Sequence, residues 1–408
     1  MKSNSEPGPS GKLTGGKRLW FLAALILLVI VLLEAGLHLL NYVTLADAEK
    51  VPDAKMLLSP YHGKEWAKKY FTEMHQREIQ YEPYYGWSLK EFNGEYVNIG
   101  AAGLRKTWNP PLAAGVSPET LFVFGGSTIW GGGARDDHTI PSLLSRLLHE
   151  RGHQIHVVNY GTTGHVFGQE VVRLMTALRD GHRPDYVVFY DGTNDVYSAY
   201  QSGEAGRFQN LTRLRERFKI ESGWKQTRDG VKDLVKSNSM IYRAGRKALA
   251  LLGHKASFQE RAAGYRDDQL QALASDIRRC YRESMELLDY LSKRYGFEYI
   301  CLLQPVAFVE KKLNSEESGS DNRLRDSSLA ALFKYSYAAM ATDRQAGFFN
   351  IADVLSERDT TYYVDFCHIS EEANQVVARR IMDILEKEVL LSGQAGNSEG
   401  VLRISETT

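Results

Sequence analysis

Cysteine is scarce in this 408-residue chain: Cys280, Cys301 and Cys367 are the only three. That is too few for a disulfide scaffold, and their spacing matches no zinc pattern. An odd number leaves at least one thiol unpaired within the chain, and the sequence does not decide whether Cys280 and Cys301 join. Net charge is absent too: 50 Lys and Arg balance 50 Asp and Glu. That balance gives no support to a nucleic-acid binder. No internal repeat is apparent. What is present, 43% hydrophobic and 25% charged residues, is the composition of a folded globular protein. The length allows one large domain with additions, or two ordinary ones.

The N-terminus carries the one long apolar run. Leu19 to Leu33 is unbroken, and only Glu34 and His38 interrupt its continuation to Val43. That is long enough to cross a bilayer as a helix. Lys2, Lys12, Lys17 and Arg18 precede the run, whereas Glu34, Asp47, Glu49 and Asp53 follow it closely. The positive-inside rule keeps residues 1–18 in the cytoplasm and sends the rest across. A cleaved signal peptide needs small residues near its apolar core, and "ADA" at 46–48 lies far beyond it. The reading is therefore a retained signal anchor, single-pass, with the main domain extracytoplasmic.

Residues 44–117, rich in Tyr, Trp, Gly and charge, read as a juxtamembrane lead-in of irregular structure and short strands. Its aromatic residues are expected to pack on the main domain rather than bind anything. From Glu119 the pattern becomes regular. Strands are expected at 120–124, 155–159, 185–190, 298–306 and 347–354, separated by helical stretches. Ile140, Leu143, Leu144, Leu147 and Leu148 share one helical face, and Leu270 to Tyr295 repeat at steps of three, four and seven. Strands alternating with helices of this length predict a three-layer α/β/α fold around a five-stranded, mainly parallel sheet. The main domain runs from 118 to 391, with an insertion at 199–265 that interrupts the pattern. Within it, residues 207–255 hold 13 Lys and Arg against 4 Asp and Glu. Such a stretch is most simply a solvated face; as a binding site it would take an anionic glycan or lipid headgroups. "NSEESGSDNR" (314–323) reads as a flexible polar loop, and 392–408 as a disordered tail.

Chemistry collects at the ends of the strands. "LFVFGGSTIWGGG" (121–133) runs from large apolar side chains into a serine between glycines. Taken alone it favours an ordinary βα turn, in which Ser127 or Thr128 caps the next helix. Position changes that reading. The first strand ends in "GGST", the second in "NYGTTG", the third in "YDGTND", and "DFCHIS" follows the fifth. In an open parallel sheet all four gather beyond the carboxyl ends of the strands, where ligands bind. Ser127 offers an attacking oxygen, which is weak until a base removes its proton. His368 is the candidate base, and Asp365 can orient its imidazole. The backbone N–H groups of Ser127 and Gly164 and the amide of Asn194 can receive the developing oxyanion. No metal or organic cofactor is implied, because the base and the donors come from the chain itself. His165 is a candidate substrate contact, whereas Asp191 and Asp195 read as structural. Cys367 lies between two site residues and is expected to point away from them.

These four blocks resemble the SGNH (GDSL-like) hydrolase superfamily, named for its Ser, Gly, Asn and His. The resemblance spans roughly residues 118–390 and matches Ser127, Gly164, Asn194, and Asp365 with His368 in a D-x-x-H motif. It implies a flavodoxin-like sheet, an acyl-enzyme mechanism and an oxyanion hole. The anchor and the lead-in "YEPYYGW" also resemble a membrane-anchored bacterial subgroup. One departure stands out: Gly126 occupies the place of the aspartate in "GDS". The resemblance implies an esterase acting on an acylated carbohydrate or lipid. An O-acyltransferase using the same residues and a catalytically silent envelope scaffold are the alternatives.

Overall fold

The computed structural model describes residues 15–48, 54–111, 115, 117–210, 239–242, 264–357 and 359–391. Its contacts divide the chain into two compact units, Met1–Val51 with Phe218–Phe258, and Pro52–Arg217 with Gln259–Thr408.

In the first unit, helix α1 (Gly15–Ala48) contains the apolar stretch Gly16–Leu40. At 1.5 Å per residue its 25 residues rise about 37 Å, enough to cross a hydrocarbon core of about 30 Å. By length and composition the stretch suits a membrane anchor or a signal sequence alike. The Glu34 carboxylate is not left bare. It accepts from Ser239 Oγ at 3.0 Å, from the Ile241 N–H at 3.1 Å, and from the Met240 N–H. The tail 392–408 and most of the basic stretch 207–255 lie outside the described residues.

The second unit is built on β1 (Ile79–Glu82), β2 (Gly86–Leu89), β3 (Phe92–Asn93), β4 (Asn98–Ile99), β5 (Glu119–Gly125), β6 (Ile155–Asn159), β7 (Tyr186–Asp191), β8 (Glu298–Leu303) and β9 (Phe348–Asn350). Its helices are α2 (Glu65–Gln76), α3 (Ser127–Trp130), α4 (Ile140–Glu150), α5 (Phe167–Arg179), α6 (Thr193–Ser202), α7 (Asp267–Tyr295), α8 (Ser315–Ser320), α9 (Ser327–Ala341) and α10 (Glu371–Leu385). The expected five strands form one sheet in the order β6-β5-β7-β8-β9, every pair parallel.

The apolar runs are continuous because each strand is covered on both faces. Phe122, Phe124, Val187 and Phe189 face α5, α6, α7 and α9 through Phe167, Leu174, Val196, Leu288 and Phe333. The alternate residues Leu121, Val123, Val188 and Tyr190 face α4 and α10 through Ile140, Leu144, Leu148, Val377 and Ile381. Each such side chain contributes about 1.5–3 kcal/mol on burial. The helices start where the sequence offers caps. Thr139 accepts from the Ser142 N–H, Asp326 from Ser328 and Leu329, and Ser370 from Ala373.

Three expectations need correction. The fifth strand is Phe348–Asn350 only, because the Asn350 side chain accepts from the Ala352 N–H at 2.9 Å and turns the chain. The polar loop 314–323 instead holds α8 and a following 3-10 turn, Asn322–Arg325. Asn314 caps α8, and buried Glu317 pairs with buried Lys311 at 2.7 Å while accepting the Tyr362 and Tyr363 N–H groups. A stretch that looks solvated is thus fixed by charge neutralisation with Lys311, six residues earlier, and by backbone N–H groups 45 and 46 residues further along the chain. Finally, the lead-in contains a 12-residue helix, α2, and its aromatics pack both among themselves and against side chains of the main domain. Tyr61, Tyr70 and Phe71 pack with Leu89, Val97, Ile99, Trp130 and Val364.

Candidate active site

Ser127 is the first residue of α3, directly beyond β5. Neither Ser127 nor Thr128 caps that short helix; the N-cap is Gly126, with no side-chain cap bond. Gly126 stands where the motif has aspartate, and the geometry explains the exchange. A Cβ there would lie 2.1 Å from Asn194 Nδ2, so the amide of Asn194 occupies the space that a side chain would need. Thr128 Oγ1 donates to Gln304 Oε1 at 3.1 Å, and Gln304 Nε2 donates to Thr193 Oγ1. Buried Gln304, just past β8, thereby ties the residue after Ser127 to the residue before Asn194.

His368 arrives from the turn between β9 and α10. The Asp365 Oδ1 atom accepts the N–H groups of Cys367 (2.9 Å) and His368 (2.7 Å), which shapes the turn. The His368 N–H lies on that carboxylate, while its carbonyl accepts from the Val364 N–H at 2.9 Å. The His368 ring bridges two groups: Nδ1 is 2.7 Å from Asp365 Oδ2, and Nε2 is 2.7 Å from Ser127 Oγ. Gly132 permits this, because a Cβ at 132 would meet His368 Cδ2 at 2.7 Å.

Lys55, from the lead-in, donates to Asp365 Oδ2 at 2.6 Å across 310 residues of chain. Burial pushes the Asp365 carboxyl up, but the charge and hydrogen bond of His368, joined by Lys55, outweigh it. The group is held well below the usual carboxylate range and stays ionised.

The loop under His368 is gripped by the lead-in. Arg105, fully buried, pairs with Asp136 at 2.9 Å and donates to the carbonyls of Trp130, Gly131 and Ala134. Tyr61 donates to the Gly133 carbonyl at 2.7 Å, and the Gly133 N–H donates to Tyr70 Oη at 2.8 Å. The lead-in does more than pack on the main domain: it holds Gly131 to Gly133 in place and adds Lys55, Phe71, Met74 and Arg77 to the pocket wall.

On the opposite side, the backbone N–H groups of Ser127 and Gly164 donate to nothing among the described residues. Gly164 has φ +80°, which a side chain rarely adopts. Asn194 Nδ2 gives one hydrogen to the His165 carbonyl at 2.7 Å and keeps a second. Its Oδ1 accepts from Gln209 Nε2 at 3.0 Å, so the first residues of the insertion reach the pocket. The pocket has a volume of about 380 Å³. His165 does not line it. Its ring is buried, Nε2 meets the Trp87 carbonyl at 3.0 Å, and burial pulls its pKa down to about 3. That is a neutral core histidine.

Asp195 accepts from the Phe167 N–H at 3.2 Å, the structural role expected of it, and burial raises its carboxyl to about 6. Burial first and the charge of Asp195 second push the Asp191 carboxyl well up, and burial first and Asp191 second do the same to Glu170.

The three cysteines are free. Cys367 lies closer to the site residues than expected, with Sγ 3.7 Å from His368 Nδ1, yet burial first and Asp365 second push its thiol well up. Asp365, Cys367 and His368 offer three ligand-type atoms within 4.8 Å of one another. A cation there would have to displace the Lys55 ammonium and the imidazole from Asp365, and ionise a thiol held neutral. The set fits an ion-paired carboxylate better than a metal centre. Lys55, Arg77, Arg105 and Gln209 carry no sequence signal, because none lies at a strand end and each acts through a contact with no local pattern; Gln304 does follow the fourth strand of the sheet, and that position is the signal that could have found it.

A family model described as GDSL-like Lipase/Acylhydrolase matches residues 121–381. Among solved structures, the chain is similar to a carbohydrate acetylesterase family member from Sinorhizobium meliloti, with 14% identity over 66% of this chain and 99% of that one, at a TM-score of 0.37. It is also similar to the acetyl xylan esterase AlAXEase, with 12% identity over 65% and 99% of the two chains and a TM-score of 0.34. For TesA the identity is 16% over 66% and 100%, at a TM-score of 0.33. No curated protein matches the sequence.

Proposed function

The chain belongs to the GDSL-like lipase/acylhydrolase family and is an ester-hydrolysing enzyme, and from that premise we propose a membrane-anchored serine esterase that removes O-acetyl groups from an extracytoplasmic carbohydrate or lipid. The observation that carries the mechanism is the continuous line Asp365 Oδ2, His368 Nδ1, His368 Nε2, Ser127 Oγ, with 2.7 Å at each hydrogen bond. Ser127 Oγ attacks the ester carbonyl as His368 Nε2 takes its proton. The carbonyl oxygen becomes an oxyanion, received by the Ser127 and Gly164 N–H groups and the second amide hydrogen of Asn194. Collapse breaks the bond to the alcohol, which leaves with the proton from His368. Water then attacks the acetyl-enzyme, again losing its proton to His368, and Ser127 is regenerated as acetate departs. Ionised Asp365 stabilises the imidazolium in both halves.

The anchor reading rests on Gly16–Leu40, with Lys17 and Arg18 at its head and the acidic residues beyond it. Protease accessibility of the main domain in intact spheroplasts tests that orientation.

The test of mechanism uses the full-length chain in detergent. It should hydrolyse 4-nitrophenyl acetate faster than the octanoate ester and be labelled by a fluorophosphonate. Ser127→Ala should abolish both with an unchanged circular dichroism spectrum. Persisting activity in that variant removes Ser127 from the chemistry.

A further inference from the structure

The pocket beside Ser127 is lined by three cations, Lys55, Arg77 and Arg323, and by no Asp or Glu among the described residues. Two of the cations already have a carboxylate. Lys55 Nζ lies 2.6 Å from Asp365 Oδ2, and Arg323 Nη2 lies 2.6 Å from Asp321 Oδ2. Arg77 has none. Its Nε donates to the Met74 carbonyl at 2.8 Å, and no Nη atom has a partner among the described residues. The guanidinium lies over the Trp130 ring at 4.2 Å, and Arg105 lies over the same ring at 4.3 Å. Trp130 is fully buried and its carbonyl is held by Arg105, so the platform under Arg77 is rigid.

A half-buried cation without a counter-ion is in an unfavourable state until an anion reaches it. Burial lowers the Arg77 pKa to about 10, and the neighbouring Arg105 adds to that; the group still carries its charge at neutral pH. A stacked guanidinium with both Nη groups open is the arrangement that grips an oxyanion at two points. The pocket, at about 380 Å³, has room for far more than an acetyl group, and Gln209 and Thr163 add polar partners to its wall.

We propose that Arg77 receives an anionic substituent of the substrate's alcohol part, and that the substrate is an O-acetylated acidic sugar bearing a carboxylate. This deepens the esterase reading and rests on it. The charge belongs to the alcohol part because the acetyl group has none. Arg77 is then a specificity residue: it touches substrate but not the reacting ester.

The experiment measures kcat/KM for acetate release by the full-length chain from methyl O-acetyl-glucuronoside, methyl O-acetyl-glucoside and O-acetyl-glucose 6-phosphate. A charge-assisted contact should favour the glucuronoside over the neutral glucoside by about 10- to 100-fold. Arg77→Met should bring that ratio close to one, and Arg77→Lys should retain part of it. Using the ratio separates the contact from folding or Ser127 chemistry, which move both esters together. A wild-type ratio of one or less, or a ratio unchanged in R77M, overturns the proposal. Preference for the phosphate over the carboxylate overturns the acidic-sugar assignment. Failure to hydrolyse 4-nitrophenyl acetate, which has no anion, would instead count against the esterase reading. Calorimetric binding of glucuronate then still decides on Arg77: binding lost in R77M supports it, and binding absent in wild type or surviving R77M refutes it.

Discussion

Gly126→Asp restores the residue after which the GDSL pattern is named, and the structure predicts that this restoration disables the enzyme. Any Cβ at 126 meets Asn194 Nδ2 at 2.1 Å, far inside contact distance. The Asn194 side chain must swing away, breaking its bonds to the His165 carbonyl and to Gln209. The backbone of Gly126 has φ −74°, which aspartate tolerates, so the fold itself should survive. The expected loss is one oxyanion donor, about 10²- to 10³-fold in kcat, with a much smaller change in KM. Steady-state hydrolysis of 4-nitrophenyl acetate measures it, with Asn194→Ala as the reference. The double variant carries the argument: if aspartate acts by expelling Asn194, G126D should cost less than about threefold more in the N194A background. Full activity in G126D would refute the reasoning, and so would a double variant in which the two losses multiply.

Two further expectations test the surroundings of the site. Arg105→Met leaves buried Asp136 without its ion-pair partner at 2.9 Å and frees the carbonyls of Trp130, Gly131 and Ala134. A loss of about 3–5 kcal/mol is expected from thermal unfolding, together with reduced kcat as Gly132 no longer supports His368. Asp195 gives a pH dependence. Its carboxyl is raised by burial to about 6 from 3.8, so the folded state binds the proton more tightly than the unfolded chain. Its contribution is fully present below pH ~3.8 and is lost as pH rises to ~6, about 3 kcal/mol in all. Asp195→Asn keeps an acceptor for the Phe167 N–H and should flatten that part of the stability–pH curve. Equal curves for wild type and variant would contradict the assignment.

The strands and main helices could be read directly because their signal is local. Leu121 to Phe124 alternate between two cores, and Leu144 and Leu148 lie one helical turn apart, so neighbours along the chain report the environment. The candidate site residues were readable for a related reason: a parallel sheet sends its strand ends to one edge, so Ser127, Gly164, Asn194, Asp365 and His368 follow from strand order. The polar stretch at 314–323 reads as a loop because nothing local marks Glu317 as buried; its pairing with Lys311 and the Tyr362 and Tyr363 N–H groups exists only in the fold.

The sequence by itself determined the alternation of elements and the edge of the sheet at which chemistry gathers, since both depend on periodicity and connection rules. Tertiary structure alone decided that the lead-in builds the site. Lys55 meets Asp365, Arg105 grips the 130–134 turn and Arg77 lies on Trp130 through contacts with no period and no local signature. Side-chain charge fixes what a residue can pair with, but only the folded path of the backbone fixes which partner comes within 3 Å.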